Sequence, residues 1–75
     1  MPLLAGGRLL GRVDPKRVDG VLVGQTVSLD SAAAVEPMAA ALREAAAWVG
    51  ASDVRVARVT PPELAAALGA AIARI

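Results

Sequence analysis

The 75-residue sequence contains no cysteine, histidine, tyrosine or phenylalanine, and Trp48 is its only aromatic residue. Without cysteine or histidine the chain cannot form a disulfide, a Ser-His-Asp or Cys-His active site, or a zinc site of the usual Cys/His type. We therefore expect no metal and no cofactor. The composition argues against an enzyme complete within these residues.

The charges nearly cancel, with eight basic and seven acidic residues and a net charge of +1. Such a chain is neither a basic tail nor an acidic solvating segment. Hydrophobic residues make up 56%, which is far from a disordered composition. Because 18 residues are alanine, the expected core is thin. We predict one small domain over residues 1–75, acting as part of a larger assembly: a terminal subdomain, a dimer half or a fragment.

The sequence has no signal-peptide pattern at its start. The longest apolar run near the C-terminus, residues 64–73, has half of the ~20 residues that a membrane span needs. Arginine outnumbers lysine seven to one, which together with the alanine content suggests a GC-rich bacterial genome. We expect a soluble, cytoplasmic protein with no membrane partner.

The N-terminal half has the pattern of antiparallel strands. Residues 3–5 and 8–13 flank Gly6-Gly7, and a Gly-Gly pair between apolar runs predicts a two-residue hairpin turn. Residues 14–20 are expected to form a longer turn, followed by a third strand over residues 21–29. In that strand one face is predicted to carry Val21, Val23, Val27 and Leu29, and the other Leu22, Gly24, Thr26 and Ser28.

The C-terminal half predicts helix, strand and helix. A first helix from Pro37 to about Val49 has an apolar stripe and ends at Gly50. Residues 54–59 predict a fourth strand. A capping box of Thr60, Pro61 and Glu63 then starts a last helix that runs to residue 75. The apolar stripe of that helix is Leu64, Leu68, Ile72 and Ile75. The expected fold is α+β, a small antiparallel sheet of about four strands packed on two helices, in the order β-β-β-α-β-α.

Basic residues are the candidates for contact with a polyanion. Lys16 and Arg17 lie between two aspartates at the expected hairpin tip, although spacing alone favours ordinary turn chemistry. Arg8 and Arg12 are expected on one strand face and form, with the strand arginines at 55 and 58, a basic sheet surface suited to phosphates. The alternative is that these arginines only make the surface soluble.

Two further patterns have a structural and a functional interpretation. Trp48 is either a platform on which a base stacks or a core anchor, and the scarcity of large side chains favours the core. The small residues Ala65, Gly69 and Ala73 allow close helix packing. We expect them to lie against the sheet or the first helix, with a dimer contact as the alternative.

The first sixteen residues read Met-Pro-Leu-Leu-Ala-Gly-Gly-Arg-Leu-Leu-Gly-Arg-Val-Asp-Pro-Lys. This run resembles the start of the C-terminal subdomain of bacterial winged-helix DNA glycosylases of the YcaQ-like crosslink-repair family. The order of later features is similar: Gly-Val-Leu at 20–22, Glu-Pro at 36–37, a helix ending in Ala-Trp-Val-Gly at 47–50, and a valine-rich strand at 54–59. The chain departs from the family at Gly7, where aspartate is common, and in a shorter turn. It also lacks the Gln-hydrophobic-Gln or Gln-hydrophobic-Asp catalytic motif.

The resemblance implies a non-catalytic C-terminal subdomain of a crosslink-repair DNA glycosylase, which supports contact with the DNA backbone. DNA would be the partner, and Lys16, Arg17, Arg8 and Arg12 would contact its phosphates. The chemistry would belong to a missing N-terminal winged-helix region. The alternative is a small protein-interaction or dimerisation module without a nucleic-acid role, which pairs through a sheet edge or the last helix.

Overall fold

The computed structural model describes residues 2–74 as a five-stranded sheet with two α-helices. The strands are β1 (Pro2–Ala5), β2 (Arg8–Val18), β3 (Val21–Leu29), β4 (Asp53–Val56) and β5 (Val59–Thr60), and the helices are α1 (Val35–Trp48) and α2 (Ala65–Arg74). A turn of 3₁₀ helix precedes each α-helix. The α+β class and the order β-β-β-α-β-α are confirmed, with the expected fourth strand divided into β4 and β5.

The sheet is mixed, whereas an antiparallel sheet was predicted. β1, β2 and β3 pair antiparallel as two successive hairpins. β4 and β5 both lie beside β3 and run parallel to it. The physical reason is the connection: α1 returns the chain to the end of the sheet where β3 begins, so the next strand runs in the direction of β3.

Two tight turns define the hairpins. Gly6 and Gly7 have φ of +59° and +78°, and glycine reaches such values without steric cost, so the predicted Gly-Gly turn is confirmed. The second turn is only Asp19-Gly20, also at positive φ, and not the predicted seven-residue loop. β2 continues through Pro15 to Val18, because Pro15 pairs with Gly24 where the ladder register shifts, a position that tolerates proline.

A first register shift, in the β1–β2 ladder, changes which face the arginines occupy. Leu4 pairs with Leu9 while Leu3 pairs with Gly11, so Leu10 is an extra residue on β2. Such a bulge reverses the alternation of the strand. By register Arg12 therefore lies on the face turned away from the helices and Arg8 on the helix side. The predicted shared face of Arg8 and Arg12 is wrong.

A second register shift, in the β2–β3 ladder, reverses the alternation of side chains along β3. Asp14 pairs with Thr26 and Pro15 with Gly24, which leaves Gln25 as the extra residue. Leu22 and Gly24 before the shift and Val27 and Leu29 after it are all buried, while Val21 and Val23 are only half-buried. The expectation that Val21 and Val23 share a face with Val27 and Leu29 is therefore wrong, because the bulge changes the phase.

The core lies between the helix-side face of the sheet and the two helices. It contains no polar side chain among the described residues. The members from α1 are Val35, Met38, Ala39, Leu42 and Ala46, and the sheet contributes Val13, Leu22, Val27, Leu29, Val54 and Val59. α2 adds Leu68, Ala71 and Ile72. With valine and alanine so frequent, the core is thin, as expected.

Trp48 is not part of this core. Its side chain is 84% exposed, so the predicted role as a core anchor is wrong. At 100° per residue, Trp48 lies roughly 140° around the helix axis from the centre of the buried stripe. Val49 follows the last helical residue and is also exposed.

The start and the outer side of α2 also differ from the predictions. Thr60 pairs with Ser28 as the last residue of β5, so it does not cap the helix, and the predicted capping box with Glu63 is not formed. Ala65, Gly69 and Ala73 are exposed and do not pack against the sheet or α1. Leu68 and Ile72 of the predicted stripe are buried and Leu64 is half-buried, while Ile75 lies outside the described residues.

The sheet face opposite the helices is called here the outer face. No described element covers it, and most of its side chains are exposed. By ladder register the outer face consists of Pro2, Leu4, Leu9, Arg12, Asp14, Lys16, Val18, Val21, Val23, Thr26, Ser28, Asp53, Arg55 and Thr60.

Candidate nucleic-acid interface on the outer face

The centre of the outer face is a row of three residues on adjacent strands. Lys16 on β2 pairs with Val23 on β3, and Val23 pairs with Arg55 on β4. Paired residues point to the same side of a sheet, and neighbouring strands lie about 4.8 Å apart. The Lys16 and Arg55 backbones are therefore about 10 Å apart, with one short apolar side chain between their cationic side chains.

Arg12 extends this cationic surface along β2. It pairs with Ser28, and both side chains line a shallow depression of about 180 Å³. Leu9, Leu29 and Asp30 complete the walls together with Gly11. The guanidinium of Arg12 and the hydroxyl of Ser28 are the donors at this depression, as is typical of contacts to phosphate oxygens.

The three cations have no partner of their own within the described chain. The side chains of Arg12, Lys16 and Arg55 make no hydrogen bond or ion pair with residues 2–74. The only ion pair found in this range joins Arg74 to Glu36, away from the outer face. Their donors are therefore available to a ligand without first breaking an intramolecular contact.

Two acids share the outer face with these cations. Asp14 lies on β2 between Arg12 and Lys16 and pairs with Thr26. Asp53 lies beside Val21, and its carboxylate accepts a hydrogen bond from its neighbour, the Val54 N–H, at 2.8 Å. Two more acids lie at its borders, since Asp30 lines the depression beside Arg12 and Asp19 lines a groove with Arg55. Three cations therefore face four carboxylates, the face has no positive excess, and a polyanion is expected to bind weakly.

The structure divides the four basic residues predicted from the sequence into two pairs. Lys16 and Arg12 lie on the outer face. Arg8 and Arg17 lie by register on the helix side, where the Arg17 Nη1 donates to the Val49 carbonyl oxygen at 2.8 Å. Lys16 and Arg17 thus point to opposite faces, and they precede the hairpin turn instead of forming its tip. Whether any of the four contacts DNA stays a prediction.

The arginines at 55 and 58 were considered for the same surface, and the structure separates them. Arg55 joins Lys16 because β4 pairs with β3, which the local sequence pattern does not show. Arg58 is exposed between β4 and β5, where its carbonyl accepts from Val27 N–H at 2.8 Å. Only Arg55 therefore adds to the outer face.

Acidic residues form no further site. Glu36 pairs with Arg74, and Glu44 and Glu63 are exposed. Among residues 2–74 no three acidic side chains lie together in a way that would hold a metal ion. In the same range, neither helix has the length and apolar character needed to cross a membrane.

The loop that follows α1 is fixed to the β2–β3 hairpin. The Ser52 N–H and hydroxyl both donate to the Gly20 carbonyl, at 2.8 and 3.3 Å. Together with the bond from Arg17 to Val49, these contacts place Trp48 at the same end of the molecule as the Asp19-Gly20 turn.

No family model, curated protein or solved structure matches this chain, so the candidate interface rests on the geometry described above and on the residue types that form it.

Proposed function

We propose that this domain is a non-catalytic module that contacts the backbone of DNA through the outer face of its sheet. The observation that carries the proposal is the row formed by Lys16, Val23 and Arg55, with Arg12 nearby, on a sheet face that no described element covers. The similarity of residues 1–16 to the crosslink-repair glycosylases supports it independently of the geometry.

The residue types on the outer face suit phosphates and not bases. Lysine, arginine and the hydroxyls of Thr26 and Ser28 are typical phosphate-binding groups. The chain has no aromatic residue on this face on which bases could stack, since Trp48 lies elsewhere. Binding through the outer face is therefore expected to be independent of DNA sequence.

The number of cations sets the expected strength and salt dependence. Three phosphate contacts predict a slope of log K against log salt of about −2.7 for duplex DNA. Affinity should then fall about 40-fold between about 50 mM and 200 mM salt. At physiological salt we expect a dissociation constant at the weak end of non-specific binding, about 10⁻⁴ M.

The test is a titration of fluorescein-labelled duplex DNA with the purified chain, followed by fluorescence anisotropy at several salt concentrations. Arg12→Ala and Arg8→Ala form a matched pair, because both remove an exposed arginine from β2 but from opposite sides of the sheet. Arg12→Ala should weaken binding and reduce the slope by about 0.9, while Arg8→Ala should change neither.

A second variant tests the central row. Lys16→Ala combined with Arg55→Ala should lower the slope by about 1.8. Equal losses from Arg12→Ala and Arg8→Ala would contradict the proposal, as would wild-type binding that does not depend on salt. Circular dichroism of each variant confirms that the fold is retained.

This proposal assigns the catalytic step to another region. The chain lacks the catalytic triplet of the glycosylases that it resembles. The resemblance therefore implies that a winged-helix region would supply base excision. A DNA-backbone contact also requires the compartment that contains the DNA, so the cytoplasmic location predicted for a bacterial protein belongs to the same proposal.

A protein-interaction module is the second candidate, and one observation favours it. Leu4 and Leu9 form a cross-strand pair on the outer face, and they are 62% and 45% exposed. Leu4 also lies on β1, an edge strand without a charged side chain, which is the type of edge that pairs with another strand. Sedimentation across a range of protein concentrations separates the two functions. A dimer that DNA does not affect supports the interaction module.

A further inference from the structure

The single aromatic side chain of the protein is presented to solvent at one end of the molecule. Trp48 is the last residue of α1 and is 84% exposed. A largely exposed indole is uncommon, because burial of its large apolar surface stabilises a fold more than burial of most other side chains. Trp48 is therefore a candidate for contact with a ligand.

The backbone that carries Trp48 is held firmly. Ala51 N–H donates to Ala46 at 2.8 Å and Gly50 N–H to Ala47 at 3.3 Å, which are the two bonds of a Schellman motif. Gly50 has the positive φ that this motif requires. The position of Trp48 is thus set by bonds on both sides of it, and little ordering of the backbone is needed when a ligand binds.

A cation is fixed at the residue that follows this tryptophan. Arg17 Nη1 donates to the carbonyl of Val49, the residue after Trp48, at 2.8 Å. This bond uses one of the five N–H donors of the guanidinium, and no other bond of the Arg17 side chain is found within residues 2–74. Arg17 therefore still offers donors to an anion near the backbone of the residue that follows Trp48.

The area of the exposed apolar patch argues against a protein partner. Trp48 offers about 200 Å², and the adjacent, partly exposed Val49 brings the patch to roughly 250 Å². A stable interface needs about 600 Å² or more from each partner. The patch is therefore too small for a second copy of the chain but large enough for one planar ring.

We propose that Trp48 and Arg17 form a site for an unpaired nucleobase, which stacks on the indole while Arg17 contacts the adjacent phosphate. The inference rests on the proposed function, because it adds a base contact to a surface that binds the backbone. Lys16 precedes Arg17 on β2 but points to the outer face, so the two proposed contacts lie on opposite sides of the β2–β3 hairpin. Glu44, one helical turn before Trp48, adds a negative charge that opposes an anionic ligand. The contact between Arg17 and phosphate weakens with added salt, so binding is measured at low salt.

The experiment uses Trp48 as its own probe, since it is the only fluorophore of the chain. The full chain is titrated at about 50 mM salt with short single-stranded oligothymidylate, and the tryptophan emission is recorded. Anisotropy of labelled oligothymidylate and of a labelled blunt duplex is measured in parallel. Stacking should quench the emission in a saturable manner with the single strand and much less with the duplex.

Variants then separate the two surfaces. Trp48→Ala should weaken binding of the single strand at least about fivefold and leave duplex binding unchanged, since a stacked base contributes about 1 kcal/mol or more. Leu4→Ala is the matched control, because it removes another exposed apolar side chain at the other end of the sheet. Arg17→Ala should weaken single-strand binding less than Trp48→Ala.

The outcomes distinguish this inference from the proposed function. Salt-dependent duplex binding together with unchanged tryptophan emission on addition of the single strand would overturn the Trp48 site and leave the outer face intact. Absence of binding to either nucleic acid would remove both proposals. Emission that changes with protein concentration before any DNA is added would show that Trp48 binds another copy of the chain, which also overturns the inference.

Discussion

Gly11 on β2 and Ser28 on β3 approach each other so closely that a Cβ atom at position 11 would overlap the Ser28 carbonyl oxygen. The same Cβ would also lie 3.3 Å from the Leu29 Cα. Both neighbours are backbone atoms of a central strand, so they cannot move aside as a flexible side chain can. Because the side chain of Gly11 is a single hydrogen, β2 and β3 can approach each other next to the depression that Arg12 and Ser28 line.

We therefore expect Gly11→Ala to destabilise the domain. Overpacking of a core commonly costs about 1–3 kcal/mol, and a backbone contact places this variant at the upper end of that range. Urea unfolding followed by far-UV circular dichroism measures the change. An unfolding free energy equal to that of the wild type would show that β2 and β3 separate at this point without strain.

Gly69→Ala is the matched glycine substitution and should have the opposite sign. Gly69 lies within α2, is exposed, and has no atom within 4 Å of the position where a Cβ would be added. Alanine at an exposed helix interior is more stable than glycine by about 1 kcal/mol. The unfolding midpoint in urea should rise, and a fall would indicate that α2 is not helical at residue 69.

The order of elements could be predicted from the sequence because short-range signals determine it. Gly6-Gly7 marks the first turn, Gly50 ends the first helix, and the apolar periods distinguish helix from strand. The partners of β4 could not be predicted in the same way. Its parallel pairing with β3 depends on the path of α1 through space, which local periodicity does not contain.

The candidate interface was only partly predictable, because strand pairing brings some of its residues together. Lys16 and Arg12 were identified from the sequence, but Arg55 comes beside Lys16 only through the pairing of β4 with β3. Leu10 then shifts the phase of β2 and separates Arg8 from Arg12, while Gln25 shifts the phase of β3. A prediction that assumes strict alternation of side chains between the two faces cannot locate such bulges. One extra residue moves every later side chain of the strand to the opposite face.

Trp48→Ala should leave the stability of the isolated domain almost unchanged. The indole is 84% exposed, and substitutions at such positions are usually within about 0.5 kcal/mol of neutral. Thermal unfolding by circular dichroism is the measurement. A loss of several kcal/mol would mean that the indole packs on the protein in solution, and it would remove the basis for a stacking site.

Leu42 contributes a large part of the stability that the thin core supplies. It is fully buried in the middle of α1, and Leu42→Ala is expected to cost about 2–5 kcal/mol. A domain of this size has a total stability of about 4–11 kcal/mol. The variant should therefore lose a large fraction of this stability, and duplex binding and helical circular dichroism should be lost together at a lower urea concentration than in the wild type. Leu42→Met, which nearly conserves volume, should cost less than about 1.5 kcal/mol and keep both properties. If Leu42→Ala folded and bound like the wild type, the apolar contact between α1 and the sheet would not be what holds the outer face in its shape.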